Sequence, residues 1–251
     1  MNNKKTVVLK QTALGDGVPK ICIPVTGVTE REIMEQARAA AAEKPDLLEW
    51  RADFYEKTGE REAAEKVLTA VSDICGQIPI LFTFRSAAEG GNRAISTEAY
   101  RELNLWAAER PETDMIDVEG CMDGLDAGSL VAAVQKAGKP VAASCHFFSR
   151  TPDRAEMLSV LEELERTGAD ILKLAVMPSC PGDVLALLEV TAEMDGRTER
   201  PLITMSMGRL GVVSRVSGRL TGSALTFGTA GAASALGQLP AAELRRMLEL
   251  L

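Results

Sequence analysis

The chain has 251 residues, of which 46% are hydrophobic and 25% charged, and it carries a formal net charge of −8. That length suits one α/β barrel domain over residues 1–251. The acidic balance, with no basic stripe to offset it, argues against a nucleic-acid partner but not against a small anionic substrate held by local arginines. Five scattered cysteines (Cys22, Cys75, Cys121, Cys145 and Cys180), no C-x-x-C pair and a single histidine, His146, argue against a Cys/His metal site. Unpaired thiols of this kind suit a reducing cytoplasm, where most behave as small apolar residues. The opening "MNNKKTVVLKQTALGDG" lacks the apolar centre of a signal peptide, and no run reaches membrane-spanning length, so no membrane partner is expected.

After an opening stretch, "KTVVLKQTALGDGVPK", that predicts a hairpin, short apolar runs follow in order: "KICIPV" (20–25), "DLLEWR" (46–51), "PILFTF" (79–84), "DMIDVE" (114–119), "PVAASC" (140–145), "DILKLA" (170–175), "PLITMS" (201–206) and "ALTFG" (224–228). They recur about every 30 residues, the length of a strand–helix–strand unit. Amphipathic patterns fill the intervals, as at 29–43, 96–110, 151–168 and 181–195, and another ends the chain. Thr29, Ser96 and Thr151 stand at N-cap positions, with Glu32 completing a capping-box pattern. Eight strands alternating with helices predict a (β/α)8 TIM barrel, its bottom closed by the N-terminal β-hairpin. A doubly wound sheet is the structural alternative, but no G-x-G-x-x-G follows the first strand.

Side chains alternate across a strand, so each run divides into two faces. Leu48 and Trp50 oppose Glu49 and Arg51; Phe82 and Phe84 oppose Thr83 and Arg85; Ile116 and Val118 oppose Asp117 and Glu119. Ala143 and Cys145 oppose Ser144 and His146, and Leu172 and Leu174 oppose Lys173. A barrel interior does not hold so many ionisable groups without cause. The polar members fall toward the C-terminal halves of the strands, the end where barrel enzymes carry out chemistry. A lone histidine is more often a surface or satisfied core residue, but His146 here belongs to a convergent polar ring.

Lys173 sits alone in an apolar strand. It reads either as the partner of a neighbouring carboxylate or as an amine nucleophile. An amine whose pKa is lowered from about 10.4, by burial or by Arg51 and a charged His146 nearby, would form a Schiff base with a carbonyl substrate. The resulting iminium draws electrons and acidifies the adjacent carbon, so neither metal nor cofactor is required. His146 would then move the proton, with a carboxylate to orient it. Glu89, in "RSAAEGGN" beside Gly90 and Gly91, is the candidate, and the two glycines would let its loop move. Arg51, Arg85 and Arg215 suit an oxygen-rich substrate bearing a carboxylate.

The ordered set "EWRAD", "TFR…EGGN", "SCHFF", "ILKLAVMP", "SMG…G…SR" and "LTFG…SALGQ", from about residue 20 to 240, resembles type I 3-dehydroquinate dehydratase. The resemblance implies dehydration of 3-dehydroquinate to 3-dehydroshikimate in aromatic amino-acid biosynthesis. Lys173 would form the iminium, His146 would act as general acid and base, and Glu89 would orient it. It also implies that Arg215, Ser234 and Gln238 hold the substrate carboxylate. Glu49, Arg51 and Arg85 would hold hydroxyls or steer charge, and Met207, Phe227 and Ala235 would form walls. A cytoplasmic homodimer without a cofactor or metal is implied as well. Where the family commonly has "SAPGQ", this chain has "SALGQ", so Leu236 removes a residue that pre-sets the loop. A class I aldolase on the same architecture and a catalytically inactive metabolite-binding barrel are the rival functions.

Overall fold

Eight parallel strands follow one another around the sheet in the order in which the chain makes them. In the computed structural model, which describes residues 4–231 and 237–251, they are β3 (Lys20–Val25), β4 (Leu47–Arg51), β5 (Ile80–Thr83), β6 (Met115–Glu119), β7 (Val141–Phe147), β8 (Ile171–Val176), β9 (Leu202–Ser206) and β10 (Leu225–Thr229). All eight coincide with the predicted runs to within two residues at either end. Before them lies the antiparallel pair β1 (Val7–Leu9) and β2 (Thr12–Leu14). A two-residue strand β11 (Leu239–Pro240) pairs with β10. β10 also pairs with β3, while the amide of Ala224, just before β10, donates to Leu202 in β9 at 2.7 Å, closing the ring. The fold is a (β/α)8 barrel with an N-terminal hairpin.

The helices on its outside are α1 (Glu30–Ala42), α2 (Arg61–Cys75), α3 (Thr97–Ala108), α4 (Ala127–Lys136), α5 (Arg154–Arg166), α6 (Pro181–Arg197), the short α7 (Gly218–Thr221) and α8 (Ala241–Leu250). Thr29 caps α1 in a full capping box with Glu32, and Ser96 caps α3 through the Ala99 amide. The expectation for α5 needs correcting. Its cap is Asp153, which accepts from the Glu156 amide at 2.9 Å, whereas the Thr151 hydroxyl donates to the Met177 carbonyl. Aspartate caps at least as well as threonine, and the Thr151 hydroxyl is engaged elsewhere.

The alternation predicted from sequence separates two cores. Leu48, Trp50, Phe82, Phe84, Ile116, Val118, Ala143, Cys145, Leu172 and Leu174 pack outward against the helices. The inward positions nearest the strand starts are apolar: Cys22, Leu47, Leu81, Met115, Ala142, Ile171, Ile203 and Leu225. Leu9 and Leu14 of the hairpin join this inner cluster, so β1 and β2 plug the bottom of the barrel. Two residues further along the same inward face, the side chains become Glu49, Thr83, Asp117, Ser144 and Lys173. One more step gives Arg51, Arg85, Glu119 and His146. A step of two residues climbs about 6.6 Å, enough to pass from an apolar floor to a polar mouth.

Candidate active site

The mouth holds a cavity that opens to solvent. Every described residue of the predicted set lines it: Glu49, Arg51, Arg85, Glu89, His146, Lys173, Met207, Arg215, Phe227 and Gln238. Ser234, Ala235 and the Leu236 departure lie outside the described residues. Thr83, Met205, Phe54 and Phe148 also line the cavity, and the sequence reading did not single them out as site residues.

Lys173 projects from the middle of β8 and is 3% exposed. Its Nζ donates to Oδ2 of Asp117 at 2.8 Å and lies 3.7 Å from Oε1 of Glu49 and 4.9 Å from the centroid of the Phe227 ring. Thr83 donates to the same Glu49 oxygen at 2.9 Å. The amine thus faces two carboxylates. Arg51, expected to bear on it, is instead clamped in a fork on Asp53, with both contacts at 2.8 Å. Of the two alternatives left open for Lys173, the ion pair is present, and the same amine lines the cavity.

Asp117, on the inner face of β6 as strand parity predicts, is the partner of this amine. Its Oδ1 accepts from Arg85 and from the Ser144 hydroxyl, each at 2.6 Å. Arg85 and Lys173 hold its carboxyl well below the usual range, against the opposing effect of burial. Arg85 is 4% exposed and is the hub of the mouth: it also reaches Glu89 at 3.1 Å, Glu119 at 3.0 Å and the Ser144 hydroxyl at 3.0 Å. Glu119 in turn takes the amide and hydroxyl of Ser86, each at 2.7 Å, anchoring the start of the loop after β5. These partners were hidden in the sequence because they depend on strand register. Ser144 aligns with Glu119 on one side and with Lys173 on the other.

His146 stands near the end of β7, with Nδ1 2.8 Å from Oε2 of Glu89. One proton can occupy that contact, which leaves Nε2 as the ring nitrogen available to a ligand. Burial, reinforced by Arg85 and Lys173, pushes the imidazole well below its ordinary value. Burial also pushes Glu89 up to about 8, against the pull of Arg85. The glycines beside Glu89 also meet a packing requirement. Gly90 has φ +80, and a Cβ there would lie 2.2 Å from the Phe148 ring; a Cβ on Gly91 would lie 1.9 Å from the Arg85 carbonyl oxygen. They allow the close packing that fixes Glu89 against His146.

Arg215, from a 3₁₀ segment after β9 (Leu210–Arg215), is 2% exposed and donates to the Phe227 carbonyl at 3.4 Å. Burial lowers its pKa to about 10. Met207 follows β9 and Phe227 lies in β10, and both line the cavity. Among the described residues no group of three or more His, Cys, Asp or Glu is arranged to hold a metal ion. No helix among them is long and apolar enough to cross a membrane.

The family model of type I 3-dehydroquinase matches residues 21–251. A 3-dehydroquinate dehydratase of Listeria monocytogenes is 43% identical over 245 residues, covering 98% of this chain and 97% of that protein. One from Clostridium kluyveri is 44% identical over 247 residues, with the same coverage. The crystal structure of the Geobacillus kaustophilus 3-dehydroquinate dehydratase matches with a TM-score of 0.96 at 36% identity, over 100% of this chain and 98% of that one. A Clostridium difficile type I 3-dehydroquinate dehydratase, solved with covalent modified comenic acid, matches with a TM-score of 0.94 at 40% identity, over 98% and 97% of the two chains. The chain belongs to the type I 3-dehydroquinase family.

Proposed function

We propose that the chain dehydrates 3-dehydroquinate to 3-dehydroshikimate through an iminium on Lys173, in the shikimate route to aromatic amino acids. The observation that carries this reading is the convergence of one amine and one carboxylate-oriented imidazole on a single cavity. Nζ of Lys173 passes one proton to His146 and attacks the substrate ketone with the freed electron pair; His146 returns that proton to the carbinolamine hydroxyl, which leaves as water and gives the iminium. The iminium restores a positive charge beside Asp117 and Glu49. His146, neutral because burial disfavours its charged form, takes the proton from the adjacent methylene through Nε2. The electron pair moves into an enamine and expels the hydroxyl one carbon further on, to which His146 returns the proton. Water then hydrolyses the iminium and frees Lys173.

Arg215 supplies a planar fork for the substrate carboxylate, with Gln238 nearby on the same wall. Ser234 and Ala235 belong to the same proposal on the strength of the family motif. A homodimer in the cytoplasm, acting on this small molecule without a cofactor, completes it. The test is direct: 3-dehydroquinate added to the purified chain should give the ultraviolet absorbance of a carbonyl conjugated to the new double bond. No absorbance, or carbon–carbon cleavage products in its place, contradicts the assignment.

A further inference from the structure

Behind Glu89 and His146 lies a second cavity, outside the barrel mouth. Glu89 and His146 line both cavities and so form the wall between them. Two thiols, Cys121 and Cys145, line the rear cavity. Cys145 immediately precedes His146 on β7 and is 3% exposed, whereas Cys121 follows β6 and is exposed. The pairing of β6 with β7 runs from Glu119 opposite Ser144 into a further bond, from the Gly120 amide to the Ser144 carbonyl at 2.8 Å. That register sets Gly120 opposite Cys145, with Cys121 the next residue in the turn after β6, and the two thiols are in hydrogen-bond contact. No disulfide joins them in the structure.

The electrostatics make the pair unequal. A hydrogen bond from Cys145 pulls the Cys121 thiol down, and the same contact, with burial, pushes Cys145 up. Cys121 is therefore the exposed member that favours the thiolate, and Cys145 is the buried member that keeps its proton. The wall they face is also unusual. Glu89 is 8% exposed, and its Oε1 is buried without a hydrogen-bond partner. A negative Cys121 adds to the charge that raises the Glu89 pKa.

We propose that Cys121 and Cys145 form a peroxide-sensitive modification site whose disulfide displaces His146 from its working position against Glu89. The Cys121 thiolate attacks one oxygen of hydrogen peroxide, breaking the O–O bond to give a sulfenic acid and hydroxide. The Cys145 thiol then attacks the sulfenic sulfur, its proton leaves with the departing oxygen as water, and the disulfide forms. Both cysteines are oxidised and the peroxide is reduced. Cys145 shares a peptide unit with His146, so drawing its sulfur toward Cys121 moves the strand that carries the imidazole. Thiol reductants reverse the step by exchange.

The test treats the reduced full-length chain with hydrogen peroxide, blocks the remaining thiols, and maps peptides without reduction. The expected map joins the Cys121 and Cys145 peptides. Exposed Cys180 has no described thiol neighbour and remains outside the bridge. Dehydration should fall about tenfold or more, since ångström-scale misplacement of a reacting group costs about 100-fold, and dithiothreitol should restore it. Cys121→Ser, which leaves His146 and Glu89 untouched, should keep its rate through the same treatment. A map with Cys121 and Cys145 unjoined overturns the site, and a bridged enzyme at full rate overturns its coupling to His146. The activity arm rests on the function proposed above, but the peptide map does not. A reduced enzyme that never dehydrates 3-dehydroquinate therefore counts against that function alone.

Discussion

The floor and the mouth of the barrel are made by the same strands, one or two steps apart on the same inward face, yet they obey opposite rules. At the floor, Leu47, Leu81, Met115 and Ile171 meet Leu9 and Leu14 of the hairpin in an apolar plug. At the mouth, Glu49, Thr83, Asp117 and Lys173 stand directly above them, joined by hydrogen bonds and ion pairs. Burying charge is costly, so the mouth lowers stability unless every charge finds a partner, and Arg85 supplies most of the partners. The contrast shows a division along each strand, with the lower residue packed in the apolar plug and the upper one facing the cavity.

The largest expected effect breaks the mouth and spares the floor. Lys173→Ala should lower turnover by more than the roughly 10⁴-fold at the top of the general acid–base range, because covalent catalysis disappears entirely. Asp117 keeps Arg85 and Ser144, so circular dichroism should show a folded barrel. An unfolded variant would mean that the lysine is mainly structural.

The converse break is Leu81→Ala, which empties part of the floor. Denaturant unfolding should show a loss of about 2–5 kcal/mol, while kcat per folded molecule stays within a few-fold of the parent. A collapse of kcat without loss of stability would show that the two layers are not separable.

A smaller effect sharpens the electrostatics of the mouth. The folded pKa of His146 lies below that of a free imidazole, so its basic form is present above that lowered value and is lost as pH falls through it. The His146 part of the acidic limb of kcat/KM should therefore lie below about 6.5, the unperturbed histidine value, while loss of the Glu89 carboxylate, raised to about 8, adds a limb above it. A limb above 6.5 that persists in Glu89→Gln would contradict the burial argument.

Much of this was legible in the sequence because strand alternation is strict. The triplet Leu47, Glu49, Arg51 gives floor, middle and rim of one strand, and Trp50 between them faces the helices. The network around Arg85 was not legible. Its contacts with Asp117, Glu119 and Ser144 join residues 32 to 59 positions apart, brought level by register. The start of α5 was misplaced for a local reason, since two cap-forming side chains lie two residues apart and the Met177 carbonyl engages one of them. The close packing of the Glu89 loop depends on what surrounds Gly90 and Gly91, which the residues "EGG" alone do not disclose.

The central claim is that Lys173 makes the covalent bond and His146 moves the proton. Borohydride trapping in His146→Ala with 3-dehydroquinate tests it most directly, because it separates the two steps. The expected result is a substrate-derived mass on the peptide bearing Lys173, together with turnover lowered by about 10²–10⁴-fold. No adduct on Lys173 would contradict the covalent half. Turnover within about tenfold of the parent, well short of a positioned acid–base contribution, would contradict the other half.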